Sequence, residues 1–130
     1  MVGTHNFTAT TGNTFKIALF TSSASLGAST TAYSTSNEIT NSSGTAYTAG
    51  GATLTSVTPT TDSTTAVCDF ADVSYTSASF TANGALIYND TQSDKAVAVI
   101  AFGSDKTVTS GTFTIQFPTA DATNAIIRLA

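Results

Sequence analysis

Gly111-Thr112-Phe113-Thr114-Ile115-Gln116-Phe117 alternates apolar and polar side chains without a break, and Pro118 closes the run. A strand turns successive side chains to opposite faces, so Phe113, Ile115 and Phe117 point at a core while Thr112, Thr114 and Gln116 meet water. The same period of two spreads outward from this stretch in both directions. Residues 14–21 set Phe15, Ile17 and Leu19 on one face and Lys16, Ala18 and Phe20 on the other. Apolar groups on both faces mark a central strand. Residues 80–89 carry a second strong strand around Leu86, Ile87 and Tyr88. The polar turn 89–94 leads from it into 96–102, and the two strands read as an antiparallel hairpin. Residues 103–106 read as another turn, with Val108 a lone apolar residue beyond it. Ala125, Ile127 and Leu129 form a last strand.

Upstream, residues 22–51 turn polar, with Tyr33, Ile39 and Tyr47 isolated among Ser, Thr, Asn and Gly. They predict a long loop, or a loose hairpin closed near 41–44. Gly50-Gly51 is a stop. Residues 52–58 then read as a strand ended by Pro59, with a tight turn over 60–63. Residues 64–70 put Ala66, Cys68 and Phe70 on one face, and a bulge or bend at Ala71-Asp72 precedes Val73 and Tyr75.

Seven or eight short strands separated by turn signals predict an all-β fold, a single-domain antiparallel β-sandwich of immunoglobulin-like or jelly-roll type over residues 14–130. A chain of 130 residues fills one domain and buries roughly two thirds of the surface its unfolded form exposes. No internal repeat is present, which excludes a solenoid. Residues 1–13 hold Val2 and Phe7 as their large apolar side chains, too few to anchor them by burial. They read as an extended N-terminal arm, or as a frayed terminus.

Threonine and serine make up about a third of the chain, and 9% of it is charged, far below the roughly 25% of a usual soluble domain. With a net charge of −4 and few lysines, such sheets have little to deter edge-to-edge pairing. The edges are therefore expected to be covered by other copies or by neighbouring proteins. Lys16, Lys95, Lys106 and Arg128 lie far apart in an acidic chain, which argues against nucleic acid. No run reaches the roughly 18 apolar residues of a membrane helix, so no membrane insertion is expected. Residues 1–14 lack the basic start and apolar centre of a leader, and the lone Cys68 forms no internal disulfide. Both features predict synthesis and folding in a cytoplasm. Asn6, Asn41 and Asn89 match the glycosylation pattern, a cheap match in a chain this rich in Ser and Thr.

The side chains that most chemistry needs are scarce. His5 lies in the weakly anchored terminus, with nothing to position a nucleophile or carboxylate beside it. Cys68 sits mid-strand where a small buried hydrophobe belongs. Asp90, Gln92 and Asp94 alternate like the first ligands of a calcium loop but lack its glycine and its distant glutamate. Asp62, Asp69 and Asp72 fit turn caps and soluble edges better than a cation site. Gly50-Gly51 and Gly103 precede no phosphate-binding loop. No catalytic residue, metal ligand or cofactor is therefore expected. Tyrosine offers stiff amphipathic contact surface. Tyr75 and Tyr88 belong to strands and to the core. Tyr33 and Tyr47 either anchor the polar segment or touch a neighbour, and with Phe7 of the arm they are the candidate interface residues.

The run Thr14-Phe15-Lys16-Ile17-Ala18-Leu19-Phe20-Thr21, then Thr31-Ala32-Tyr33 with Glu38, and Tyr47-Thr48-Ala49-Gly50-Gly51 have a familiar combined pattern. With Asp69-Phe70-Ala71-Asp72-Val73, Gly84-Ala85-Leu86-Ile87-Tyr88-Asn89, residues 96–103 and Ile126-Ile127-Arg128-Leu129, the chain resembles small virion structural proteins of tailed bacteriophages. The resemblance covers nearly the whole chain and rests on strand and turn signatures. It implies a non-enzymatic virion component made in a bacterial host. The leading expectation is a capsid decoration or cement protein, an oligomer that clamps the shell. The other is a neck or tail component, an adaptor for fibres or a module for a host receptor or glycan.

Overall fold

The computed structural model describes residues 4–40 and 44–129. Its strands are β1 (Phe15–Phe20), β2 (Ala52–Leu54), β3 (Ser56–Asp62), β4 (Thr65–Phe70), β5 (Val73–Asn89), β6 (Lys95–Ile115) and β7 (Ile127–Leu129). A 3₁₀ turn spans Asp90–Gln92, and no α-helix occurs among the described residues. The strands build two antiparallel sheets, ordered β2-β1-β5-β6 and β3-β4-β7, and the chain is a β-sandwich.

β1 is central, as its two apolar faces predict. Phe15, Ile17 and Leu19 enter the core shared by the two sheets, with Phe70, Tyr75, Phe80 and Ile87. Ala18 and Phe20 face the other way, with Leu86 and Tyr88, beneath Ala24, Leu26 and Tyr33 of the polar segment. Burying a Phe, Ile or Leu side chain stabilises by roughly 1.5–3 kcal/mol. β1 buries four of these almost completely.

β5 and β6 pair from Val73↔Ile115 to Asn89↔Lys95, through a corner where Ser93 and Asp94 both take positive φ. The hairpin read over 80–89 and 96–102 is thus the inner part of a longer one. The turn expected at 103–106 is instead a wide bulge. Ala82 pairs with Lys106 and Gly84 with Ala101, so Asn83 alone faces residues 102–105. Gly103, at φ +80, shapes the excursion, and Asn83 Nδ2 donates to Asp105 Oδ1 at 2.8 Å. The turn chemistry is present, but the chain on both sides of it pairs with β5, so the strand resumes without reversing.

Three further expectations are corrected. Pro59 lies inside β3, because β3 is an edge strand whose pairing slips between Val57 and Thr60, where a missing N–H is tolerated. The reversal falls at Ser63-Thr64, with Ser63 at positive φ. In β4 it is Thr65, Val67 and Phe70 that are buried, while Ala66 is exposed and Cys68 half-buried. Cys68 and Phe70 still pack into the core between the sheets, as one face, and Asp69 Oδ1 accepts the Phe70 N–H. The last strand forms as expected but starts at Ile127, half-buried, with Leu129 exposed and Ala125 buried just ahead of it. Ala71 and Asp72 carry the chain from the three-stranded to the four-stranded sheet.

Residues 4–13 lie against the body as a closed loop, and Met1, Val2 and Gly3 fall outside the described residues. The Asn13 N–H donates to Asn6 O and the Gly12 N–H to Thr8 O. Phe7 is buried, its ring stacked on Phe15 at 4.7 Å between centroids. One aromatic ring and a set of side-chain amides hold a segment that apolar content alone would leave loose.

Candidate functional site

Residues 22–40 and 44–51 of the polar segment strap β1, and the hairpin closure expected near 41–44 falls largely outside the described residues. The strap's first half crosses the outer face of the larger sheet, where Tyr33 stacks on Tyr88 at 4.5 Å. Ala32 bridges to Lys95, and Thr31 O accepts the Ala96 N–H. Its second half delivers Ile39 and Tyr47 to the inner core. Between the two halves it passes the edge of β1 where β2 stops, since β2 reaches only from Phe15 to Ile17. There the strap replaces the missing strand. Leu19 O accepts the Ile39 N–H and Asn37 O the Thr21 N–H, and the Leu19 N–H donates to Tyr47 Oη at 3.0 Å.

Glu38 closes this strap. Oε2 accepts the Tyr33 hydroxyl at 2.6 Å from the outer side. Oε1 accepts the Tyr47 hydroxyl at 2.6 Å from the inner side and the Gly50 N–H at 2.7 Å. Gly50 O then takes the Tyr88 hydroxyl at 2.6 Å. Burial first, and the bond to Glu38 second, push the Tyr33 and Tyr47 phenols far above the ordinary tyrosine value. Burial pushes Tyr75 and Tyr88 up to about 12, aided at Tyr88 by the charges of Asp94, Asp90 and Glu38. An unfolded tyrosine ionises near 10. The tyrosines' contribution to stability is therefore full below pH 10 and falls as pH rises towards 12, because the unfolded chain gives up these protons first. In urea titrations at pH 9, 10.5 and 11.5 the midpoint should drop stepwise, with tyrosinate absorbance rising alongside unfolding. Ionisation of all four tyrosines near pH 10 with the fold intact would contradict this.

The second feature is a bare flank. β6 ends the larger sheet, and beyond its first two residues no strand among those described pairs with its outer edge. From Val97 to Ile115 its charged residues are Asp105 and Lys106, both beside the bulge. Charge and bulge are the devices that blunt an edge; here both charges fall at one bulge, and smaller slips in the pairing near Val97 and Ser110 carry none, which leaves 98–101 and 113–115 in regular register. Behind the edge opens a cleft of about 630 Å³, walled by Ile100, Phe102, Phe113, Ile115, Phe117 and Ile126 with Lys106 among its lining residues. The alternating stretch that identifies the fold thus turns its apolar face partly into this cleft. Phe117 on the cleft wall is held by Asp72, whose Oδ1 accepts its N–H, and further along the same segment Asp62 Oδ2 accepts the Ala122 N–H. Asp121 accepts from Thr123 and Asn124, and those hydrogen bonds hold its carboxyl below the usual range.

Of the candidate interface residues, Phe7 and Tyr47 are buried within this chain's own fold and Tyr33 is half-buried with its hydroxyl committed to Glu38. Burial pushes the Cys68 thiol up, the direction away from a reactive thiolate. Asp90 pairs with Lys16 at 3.1 Å. Among the described residues no group of three His, Cys, Asp or Glu is placed to hold a metal, and no helix is long and apolar enough to cross a membrane. Glu38 and the cleft escaped the reading of the sequence. The one signal for Glu38 was its being a lone carboxylate in an uncharged stretch between two tyrosines. Comparison with protein-family models, with curated proteins and with solved structures finds no match.

Proposed function

We propose that this chain is a structural protein of a tailed-bacteriophage virion, without catalytic activity, that decorates or cements the capsid shell as an oligomer. The observation that carries this reading is the bare flank of β6, a long edge with its apolar cleft in a chain that has few charges to keep it apart from other strands. An edge of this kind is met by adding a strand from another copy or from a shell protein, whose alternate side chains then fill the apolar pockets. Binding only the assembled shell stabilises it by mass action. The sequence resemblance supports the same setting. A neck or tail position would use the same edge at lower copy number. Receptor contact through Tyr33 and Tyr47 finds little support, because both hydroxyls are engaged by Glu38.

The test is cryo-electron microscopy of purified particles with the copies counted. Hundreds of copies over the shell are expected. Density at a single vertex would transfer the protein to the neck or tail, and its absence from particles would overturn the virion reading. Phe102→Lys, at the cleft, should remove the protein from particles while leaving it folded.

A further inference from the structure

We infer that His5 is an acid-opened latch: its neutral imidazole pins residues 4–13 to the body, and its protonation frees them. A chain of hydrogen bonds fixes the neutral state, each partner dictating the next. The Asn6 N–H donates to the side chain of Asn13 at 2.8 Å, so that atom of Asn13 is its oxygen, Oδ1. The same oxygen lies 2.9 Å from the side-chain amide of Asn89, which must present Nδ2. Nδ2 in turn lies 3.0 Å from His5 Nδ1. A nitrogen facing an N–H donor at that distance is an acceptor, so His5 carries its proton on Nε2 and is neutral. Thr4 O, at 3.5 Å, is a marginal third partner for the two Nδ2 hydrogens.

Asn89 makes the latch costly to disturb. Its side chain is fully buried at the end of β5, and its Oδ1 already lacks a partner. Protonated His5 would set one N–H against another, and the ring must then leave. The charge acting on His5 from Lys95 is positive, while Lys16 and Asp90 satisfy one another at 3.1 Å. Burial first, and this charge second, hold the imidazole below its ordinary value of 6.5. The latch is therefore complete above pH 6.5 and is lost as pH falls through that lowered value, since the freed segment binds the proton more readily. Opening withdraws Phe7 from its stack on Phe15. A stowed segment thus becomes an arm with an aromatic anchor, and it leaves an apolar slot behind.

Hydrogen exchange at single-residue resolution, corrected for intrinsic rates, tests it on the intact chain at pH 7.5 and pH 5. The amides of Asn6, Thr8, Gly12 and Asn13 should lose protection by about tenfold or more at pH 5, while those of Ile17 and Ile87 keep theirs. His5→Gln offers an acceptor oxygen at every pH, so its protection should not change between the two conditions. Unchanged protection in the native chain, the same loss in His5→Gln, or loss in step with Ile17 and Ile87 would each overturn the latch. Should His5→Gln fail to fold, the ¹⁵N shifts of the native imidazole at pH 7.5 decide, since a proton found on Nδ1 contradicts the mechanism.

Discussion

Glu38→Ala should lower the stability of the fold by about 3–5 kcal/mol, although the residue lies in a loop and is only half-buried. A hydrogen bond to a charged group is worth roughly 1.5–3 kcal/mol, and this carboxylate accepts three, from Tyr33, Tyr47 and the Gly50 N–H. The Tyr47 ring is 1% exposed, so its orphaned hydroxyl proton cannot turn to water. Damage would spread along the strap, because Tyr47 Oη also satisfies the Leu19 N–H. A loss of this size is a large part of the 5–15 kcal/mol that holds a usual domain, and the melting temperature should fall by about 10–15 °C. Glu38→Gln keeps one acceptor oxygen and should cost less than half as much. Urea denaturation followed by tyrosine fluorescence measures both. An alanine variant within 0.5 kcal/mol of the native protein would show that the strap holds without its clasp.

Gly51→Ala should cost about 3 kcal/mol or more, from two causes that a second glycine separates. Gly51 has φ +81, where a side chain is strained by roughly 1–2 kcal/mol. A Cβ there would also run into the backbone carbonyl of Ile17, in the centre of β1, with no side chain able to move aside. Gly103, at φ +80, has open space where its Cβ would lie. Gly103→Ala therefore reports the conformational cost alone, and the difference between the two variants in urea denaturation is the close approach of strap to strand. Equal losses at both positions would mean that β1 and the corner at Gly50-Gly51 are not packed as tightly as described.

Much of the architecture is legible from residue order. β1 announced itself by apolar groups on both faces, and the β5/β6 hairpin by two apolar runs around a polar turn. Misreadings occurred where a local signal meets a tertiary neighbour. Gly103-Ser104-Asp105 has the composition of a turn, yet both flanks of β6 find the same partner, so it becomes a bulge. Pro59 has the force of a strand end, yet an edge strand with slipped pairing absorbs it. Phe7 looked too solitary to anchor a segment, but Phe15 supplies a stacking face and Asn89 a buried amide, from residues 8 and 82 positions away.

What the sequence determined by itself is the class: an all-β chain with a central first strand, a buried aromatic content, and a surface of hydroxyls in place of charges. These follow from side-chain period and composition, which are local properties and survive any arrangement of the strands. Only the tertiary structure decided which edge stays bare, which part of the apolar face opens into a cleft, and that Glu38 and His5 are structural centres. Period two says which side chains point inward but not which strand lies alongside. A lone Glu in a polar stretch, or a lone His near a terminus, carries no period at all. Their roles arise when distant groups converge, Tyr33, Tyr47 and Gly50 on one, Asn89 and the Phe15 ring on the other, and that convergence is set by the packing of the whole chain.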